Sequence, residues 1–347
     1  MFMPSSRHLR GTTLTRARMA ALGAGLLVGG VLLVVLAWVA ASGVLAALGV
    51  VVGVVAAFSG VGRLVWAARR RRIDLLPWVA FLWLAVLGVA AVLAPWLPLP
   101  EGRNATVALT EPIFLDPLKY GDHPLGTNGA GLDMLSRAVF GARTSMVISM
   151  TAILIGVTVG GLIGVVAGYY RKGVDRTIGI LTNAVLSVPP LILLIALAAI
   201  LDPGIRNMAF ALALLTIPSM VRIARANAIS FAQREFVLAA RGMGASKLRI
   251  MLRELVPNVA PPLFSIAVVT ISALIVAEAS LSFLGLGIPQ PEPTWGNMIS
   301  EAQAGNTMED QPFILIVPGL FLFMTVFSFN LLGEQAQRRW DPRSAKL

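Results

Sequence analysis

Apolar residues fill most of this chain in long blocks, separated by short polar stretches. A helix needs about 20 apolar residues to cross the hydrocarbon core of a bilayer. Blocks of that size fall at 19–40, 44–66, 75–97, 146–169, 178–201, 208–223, 260–284 and 313–333. The pattern predicts an all-α integral membrane protein with about eight spans. The first block is too long for the apolar core of a signal peptide, and a second follows at once, so it reads as a retained anchor.

The polar interruptions carry the information. Residues 123–149, HPLGTNGAGLDMLSRAVFGARTSMVIS, open with a His-Pro turn and run into the fourth block. Inside that block Gly156, Gly160, Gly164 and Gly168 recur every four residues, a stripe without side chains on one helix face. Such a stripe suits tight packing within a bundle or the lining of a pathway. Residues 224–263 hold REFVLAARGMG, with helical character, broken by Gly242 and Gly244. SKLRIMLREL then restarts an amphipathic helix, with Ser246 as its N-cap and Leu248, Met251 and Leu252 on one face. Pro257 is expected to end that helix, and Pro261-Pro262 to begin the next span. A short helix–turn–helix between two spans fits docking to a soluble partner or resting on anionic headgroups. Residues 281–312 contain four prolines and repeated Gly, with Trp295 expected at the membrane interface.

Composition agrees and adds orientation. The chain of 347 residues is 57% hydrophobic and 13% charged, against about 25% charged in soluble domains. Absence of Cys excludes disulfides, thiolate metal sites and Cys nucleophiles. The formal charge of +11 does not form a basic face for nucleic acid; the basic residues sit at the ends of apolar blocks. All but Arg103, Lys119, Arg137, Arg143 and Arg206 of the 28 Lys and Arg fall on one side of an eight-span topology. The positive-inside rule makes that side, with both termini, cytoplasmic. Residues 123–149 then lie outside.

At these residues the chain resembles the inner-membrane permease subunits of the dipeptide, oligopeptide and nickel branch of bacterial ABC importers. Residues 123–149 are similar to that branch's HPLGTD-x-x-GRD-x-LSR-x-x-x-GAR segment, with Asn128 and Leu132 where Asp and Arg are usual. LAARGMGASKLRIMLRELVPN resembles the EAA loop, with Ala239, Ala240 and Gly244 in place and Leu238 where the Glu is expected. Glu235 stands one turn upstream. EASLSFLGLGIPQPEPTWGNMISEAQ and PGLFLFMTVFSFNLLGEQAQRRWDPR also resemble family segments, in family order. The resemblance implies a six-helix type I importer core preceded by two extra helices. Residues 1–72 would be the extension with its basic linker, 73–138 the first core helix and outer segment, 139–335 the core, and 336–347 a cytoplasmic tail. It implies a permease for peptides, with nickel or another small solute as the alternative. The implied partners are a second homologous permease, two cytoplasmic ATPase subunits, an extracytoplasmic binding protein and membrane lipids. Within loop 224–257 the coupling residues would be Glu235, Ala239, Ala240, Arg241, Gly244, Ala245, Lys247, Arg249 and Pro257. His123, Asn128, Asp133 and Trp295 would belong to the docking surface for the binding protein.

No G-x-x-x-x-G-K-[ST], H-E-x-x-H or G-x-S-x-G segment occurs, so the chain is expected to hydrolyse nothing. No cofactor is expected in it; ATP and Mg would be bound by the ATPase subunits. Asn183 and Glu278 are the polar residues at membrane depth and the candidates for pathway or gate. Glu278 suits either a hydrogen bond holding the outer gate or contact with a peptide's amino terminus. Two isolated polar residues are too few for an intramembrane catalytic centre, and no filter-like loop suggests a channel.

Overall fold

The computed structural model describes residues 21–32, 76–104, 106, 108, 111–119, 122–303 and 307–340. The chain divides into two compact units, Met1–Val79 and Ala80–Leu347. In the first, α1 (Ala21–Leu32) is a short apolar helix. The remainder of the blocks at 19–40 and 44–66 lies outside the described residues. Then follow α2 (Leu76–Leu93), α3 (Met134–Tyr170), α4 (Lys172–Leu186), α5 (Pro190–Ile200) and α6 (Ile205–Phe231). α7 (Glu235–Gly242), α8 (Lys247–Phe283), α9 (Trp295–Glu301), α10 (Thr307–Asp310) and α11 (Phe313–Trp340) complete the order. Among the described residues there is no strand, only an isolated bridge between Thr127 and Asp133. Five helices are long and apolar enough to span a membrane, six if the bent pair α4–α5 counts as one.

α6 is the centre of the bundle, and its neighbour α3 is held at unusually short range. A Cβ on Gly160 would lie 2.7 Å from the Ile217 carbonyl, and one on Gly164 would lie 2.6 Å from the Ala224 Cβ. Only glycine permits that approach, and the resulting backbone contact supplies dispersion energy where lipid offers no hydrophobic gain. α3 passes this region through a π turn at Gly156–Gly160. On the outside of the bundle α2 and α11 expose Phe81, Leu82, Val86, Leu320, Phe323 and Phe327, the surface a lipid tail requires. Trp83 ties the two helices, donating from Nε1 to Thr325 Oγ1 at 3.1 Å and meeting the Phe321 ring edge-on.

Three helix boundaries depart from the sequence expectations. The block at 178–201 is two helices bent by 85°. Pro189 and Pro190 lack the N–H groups a continuous helix needs, and each disfavours helical backbone in the residue before it. Pro257 does not end a helix, because α8 runs from Lys247 to Phe283 through all three prolines. A π turn at Ile250–Leu255 places Pro257 in the first turn of the following α segment, where a missing N–H costs little. Asn258 Nδ2 donates to the Glu254 carbonyl at 2.6 Å, supplying a donor beside the gap. Finally, α3 begins at Met134, so more than half of the polar segment 123–149 is already helix.

Candidate functional site

The polar residues gather at two places, an outer brace and a cytoplasmic corner. The brace begins at Asp133, which caps α3: its Oδ1 accepts from Ser136 N at 2.6 Å. Its other oxygen faces His123 Nδ1 at 3.1 Å, while His123 Nε2 faces Glu111 at 3.3 Å. Carboxylates against both ring nitrogens favour the imidazolium, which alone donates in both directions. Burial pulls the His123 pKa down, but hydrogen bonds and charge from Asp133 and Glu111 outweigh it and raise it above the ordinary value.

Asn128 Oδ1 accepts from Ala130 N and Leu132 N, folding the turn, while Nδ2 donates to Glu301 at 3.0 Å. An aspartate here would set two carboxylates side by side, so the departure from the resembled segment is matched across the fold. Glu301, at the end of α9, also accepts from Gln290 and pairs with Arg137 on α3, whose side chain is 1% exposed. Trp295 is fully buried and donates to the Ala138 carbonyl at 3.1 Å. Glu278 on α8, also fully buried, accepts from Ser145 and Ser282 hydroxyls at 2.7 Å each. These contacts fasten α3, α8 and α9 into one block.

His123, Asn128, Asp133 and Trp295 are therefore buried, and their side chains do not form an exposed docking face. The physical reason is connectivity. Each spends its polar atoms on another segment of the brace, and Trp295 fills the space beside Gly141. Arg137, Glu301 and Ser145 were missed by sequence reading. An arginine in the first turn of a span requires a partner acid, but nothing local marks Glu301 as that acid.

The corner is built by α7, the turn at 243–246 and the start of α8. Gly244 sits at φ 79°, where a side chain is strained. The Ala245 and Gly244 N–H groups close the end of α7 by donating to the Ala240 and Arg241 carbonyls. Ser246 caps α8 through a hydrogen bond from Arg249 N. Val237 and Ala240 point inward, while Leu238, Met243, Leu248 and Leu252 are exposed. Met251, expected on the same face as Leu248 and Leu252, is buried, because the π turn rotates the helix at that point. Arg241 and Lys247 lie over the rings of Tyr169 and Tyr170 at the end of α3, linking the corner to the glycine-striped helix. Glu235, Ala239, Arg249 and Pro257 are exposed, and Ala245 is half-buried. Asn183 is exposed on α4 and accepts from Arg222.

Residues 160–346 match the family model described as the binding-protein-dependent transport system inner membrane component. The chain belongs to this family. It is similar to the glutathione transport system permease protein GsiD of Escherichia coli O6:K15:H31, 34% identical over 79% of this chain and 89% of that protein. It is also similar to the di/tripeptide transport system permease protein DppC of Pseudomonas aeruginosa, 33% identical over 76% of this chain and 86% of that one. Among solved structures, a chain of the MetNI methionine ABC transporter in an inward-facing conformation superposes with a TM-score of 0.51. That match, 19% identical, covers 59% of this chain and 97% of the other, and gives the fold of a type I importer permease. As an inner membrane component the chain is a multi-pass transport subunit without an ATPase site of its own, working with ATPase and binding-protein partners.

Proposed function

We propose that this chain is the permease subunit of a peptide importer. The observation that carries the reading is its similarity, over about four-fifths of its length, to permeases of glutathione and di/tripeptide transport systems. Both substrates are short peptides. With a second homologous permease it forms the pathway, beneath an extracytoplasmic binding protein and above two ATPase subunits that hold the ATP and Mg. Both termini lie in the cytoplasm, following the basic residues.

The exposed apolar side chains of the corner, Leu238, Met243, Leu248 and Leu252, meet the ATPase. Motion there passes through the Arg241–Tyr169 and Lys247–Tyr170 contacts into α3 and along it to the outer brace. Alternating access is then a switch between two packings of rigid helices.

Uptake by cells lacking the chain tests the proposal. Loss of labelled dipeptide or tripeptide accumulation, restored by the intact gene, is expected. Unchanged peptide uptake with loss of nickel uptake would replace the peptide reading by the metal one.

A further inference from the structure

Arg222 on α6 meets Asn183 on α4 at the exposed side of the bundle, donating from Nη2 to Oδ1 at 3.3 Å. Among the described residues no carboxylate pairs with this guanidinium, whereas its neighbour Arg225 forms two hydrogen bonds with Asp175. Arg222 closes the apolar block at 208–223, and Asn183 stands near the start of the block at 178–201, so both lie towards the cytoplasmic end of their spans in the proposed topology.

The surroundings match. Leu215, Ser219, Arg222, Ala226 and Ser230 share one side of α6 by their spacing, and Arg222, Ala226 and Ser230 are exposed. The exposed side of α11 is instead apolar, with Leu320, Phe323 and Phe327. A charged and small-polar surface at the cytoplasmic end of a span suits the water-filled mouth of a pathway. The bond to Asn183 uses one N–H of the guanidinium, and a carboxylate fits a forked set of such donors.

We propose that Arg222, steadied by Asn183, is a carboxylate-binding station in the translocation pathway, taking the C-terminal carboxylate of a peptide in transit. The substrate class rests on the peptide reading above; the anion site itself does not.

The sequence has no Cys, so Ser219→Cys places a single thiol on this chain, one turn from Arg222. In the complete detergent-solubilised transporter, with each rate taken relative to that reagent's rate on a free thiol, an anionic thiosulfonate should modify the site roughly fivefold faster than a cationic one. Adding Arg222→Gln should abolish the preference. In proteoliposomes, Arg222→Gln should lower transport of a free-carboxylate tripeptide about tenfold more than that of its C-terminal amide, with Arg222→Lys intermediate. Asn183→Asp, which retains Arg222 but fills the site with an internal carboxylate, should act in the same direction. A thiol that reacts with neither reagent, or with both equally, overturns the site. Equal losses for both peptides overturn its role in transport. A wild-type complex that moves neither peptide refutes the peptide reading, and the thiol rates still decide whether the anion site exists.

Discussion

Replacing Gly164 by alanine inserts one methyl group between α3 and α6. The new carbon would lie 2.6 Å from both the Ala224 Cβ and the Val221 carbonyl oxygen, and 2.9 Å from Arg225 N. Carbon atoms settle at about 3.5–4.0 Å, so the helices must part by roughly 1 Å at this level. Two of the obstacles are backbone atoms, and no rotamer change relieves them. Overpacking of this kind costs about 1–3 kcal/mol. Gly319 is the control, since a Cβ there meets nothing within 4 Å, and alanine is the better helix former by about 1 kcal/mol. The assay is the apparent melting temperature of the purified complex, where each kcal/mol moves Tm by about 2–4 °C or less in a protein this size. Gly164→Ala should melt several degrees below wild type, and Gly319→Ala at or above it. Gly156→Ala should also melt below wild type, because its new carbon meets the Thr216 Cβ at 2.9 Å, an atom that no rotamer change moves. Equal melting of the Gly164 and Gly319 variants would refute the close-approach account of the stripe.

Glu278→Ala strands the buried hydroxyls of Ser145 and Ser282, at about 1–3 kcal/mol each, while Glu278→Gln retains an acceptor; melting should drop at least twice as far in the alanine variant, and the reverse order would contradict the assigned bonds. The raised pKa of His123 makes its contribution to the brace complete below its ordinary value of 6.5 and lost as pH rises through the raised one. Hydrogen-exchange protection of residues 122–133 should therefore fall on the alkaline side, and His123→Gln should remove the dependence; a flat profile in the wild type speaks against the imidazolium. Gly244→Pro forces φ from 79° to about −65° and should uncouple ATP hydrolysis from uptake, whereas Arg249→Ala, an exposed charge worth about 0–1 kcal/mol, should leave coupling intact. Wild-type uptake in Gly244→Pro would remove the corner from the coupling route.

The helices of the core were legible because length and hydropathy set them: the blocks at 75–97, 208–223 and 313–333 all lie within or closely overlap observed helices. The four-residue glycine repeat marked a packing face that the structure fills with α6. The break at Ser187–Pro189 was written in Pro189-Pro190 and was overridden by an uninterrupted apolar run. Pro257 misled for the opposite reason, since a π turn two residues earlier absorbs the missing donor and leaves no trace in a 3.6-residue pattern. The outer brace was legible in residue type but not in role. His123, Asn128 and Asp133 look like surface polar groups until Glu111 and Glu301 are placed against them, and Arg137 meets Glu301 across a separation no local spacing encodes.

The central claim, that this chain conducts peptides under the control of external ATPases and a binding protein, is tested by the complete complex in proteoliposomes holding labelled tripeptide on the binding-protein side. ATP-dependent accumulation that requires the binding protein, and that fails when the corner carries Gly244→Pro, is the result expected. Peptide flux that is independent of ATP or of the binding protein, or no peptide flux in a complex whose ATPase responds normally, would contradict it.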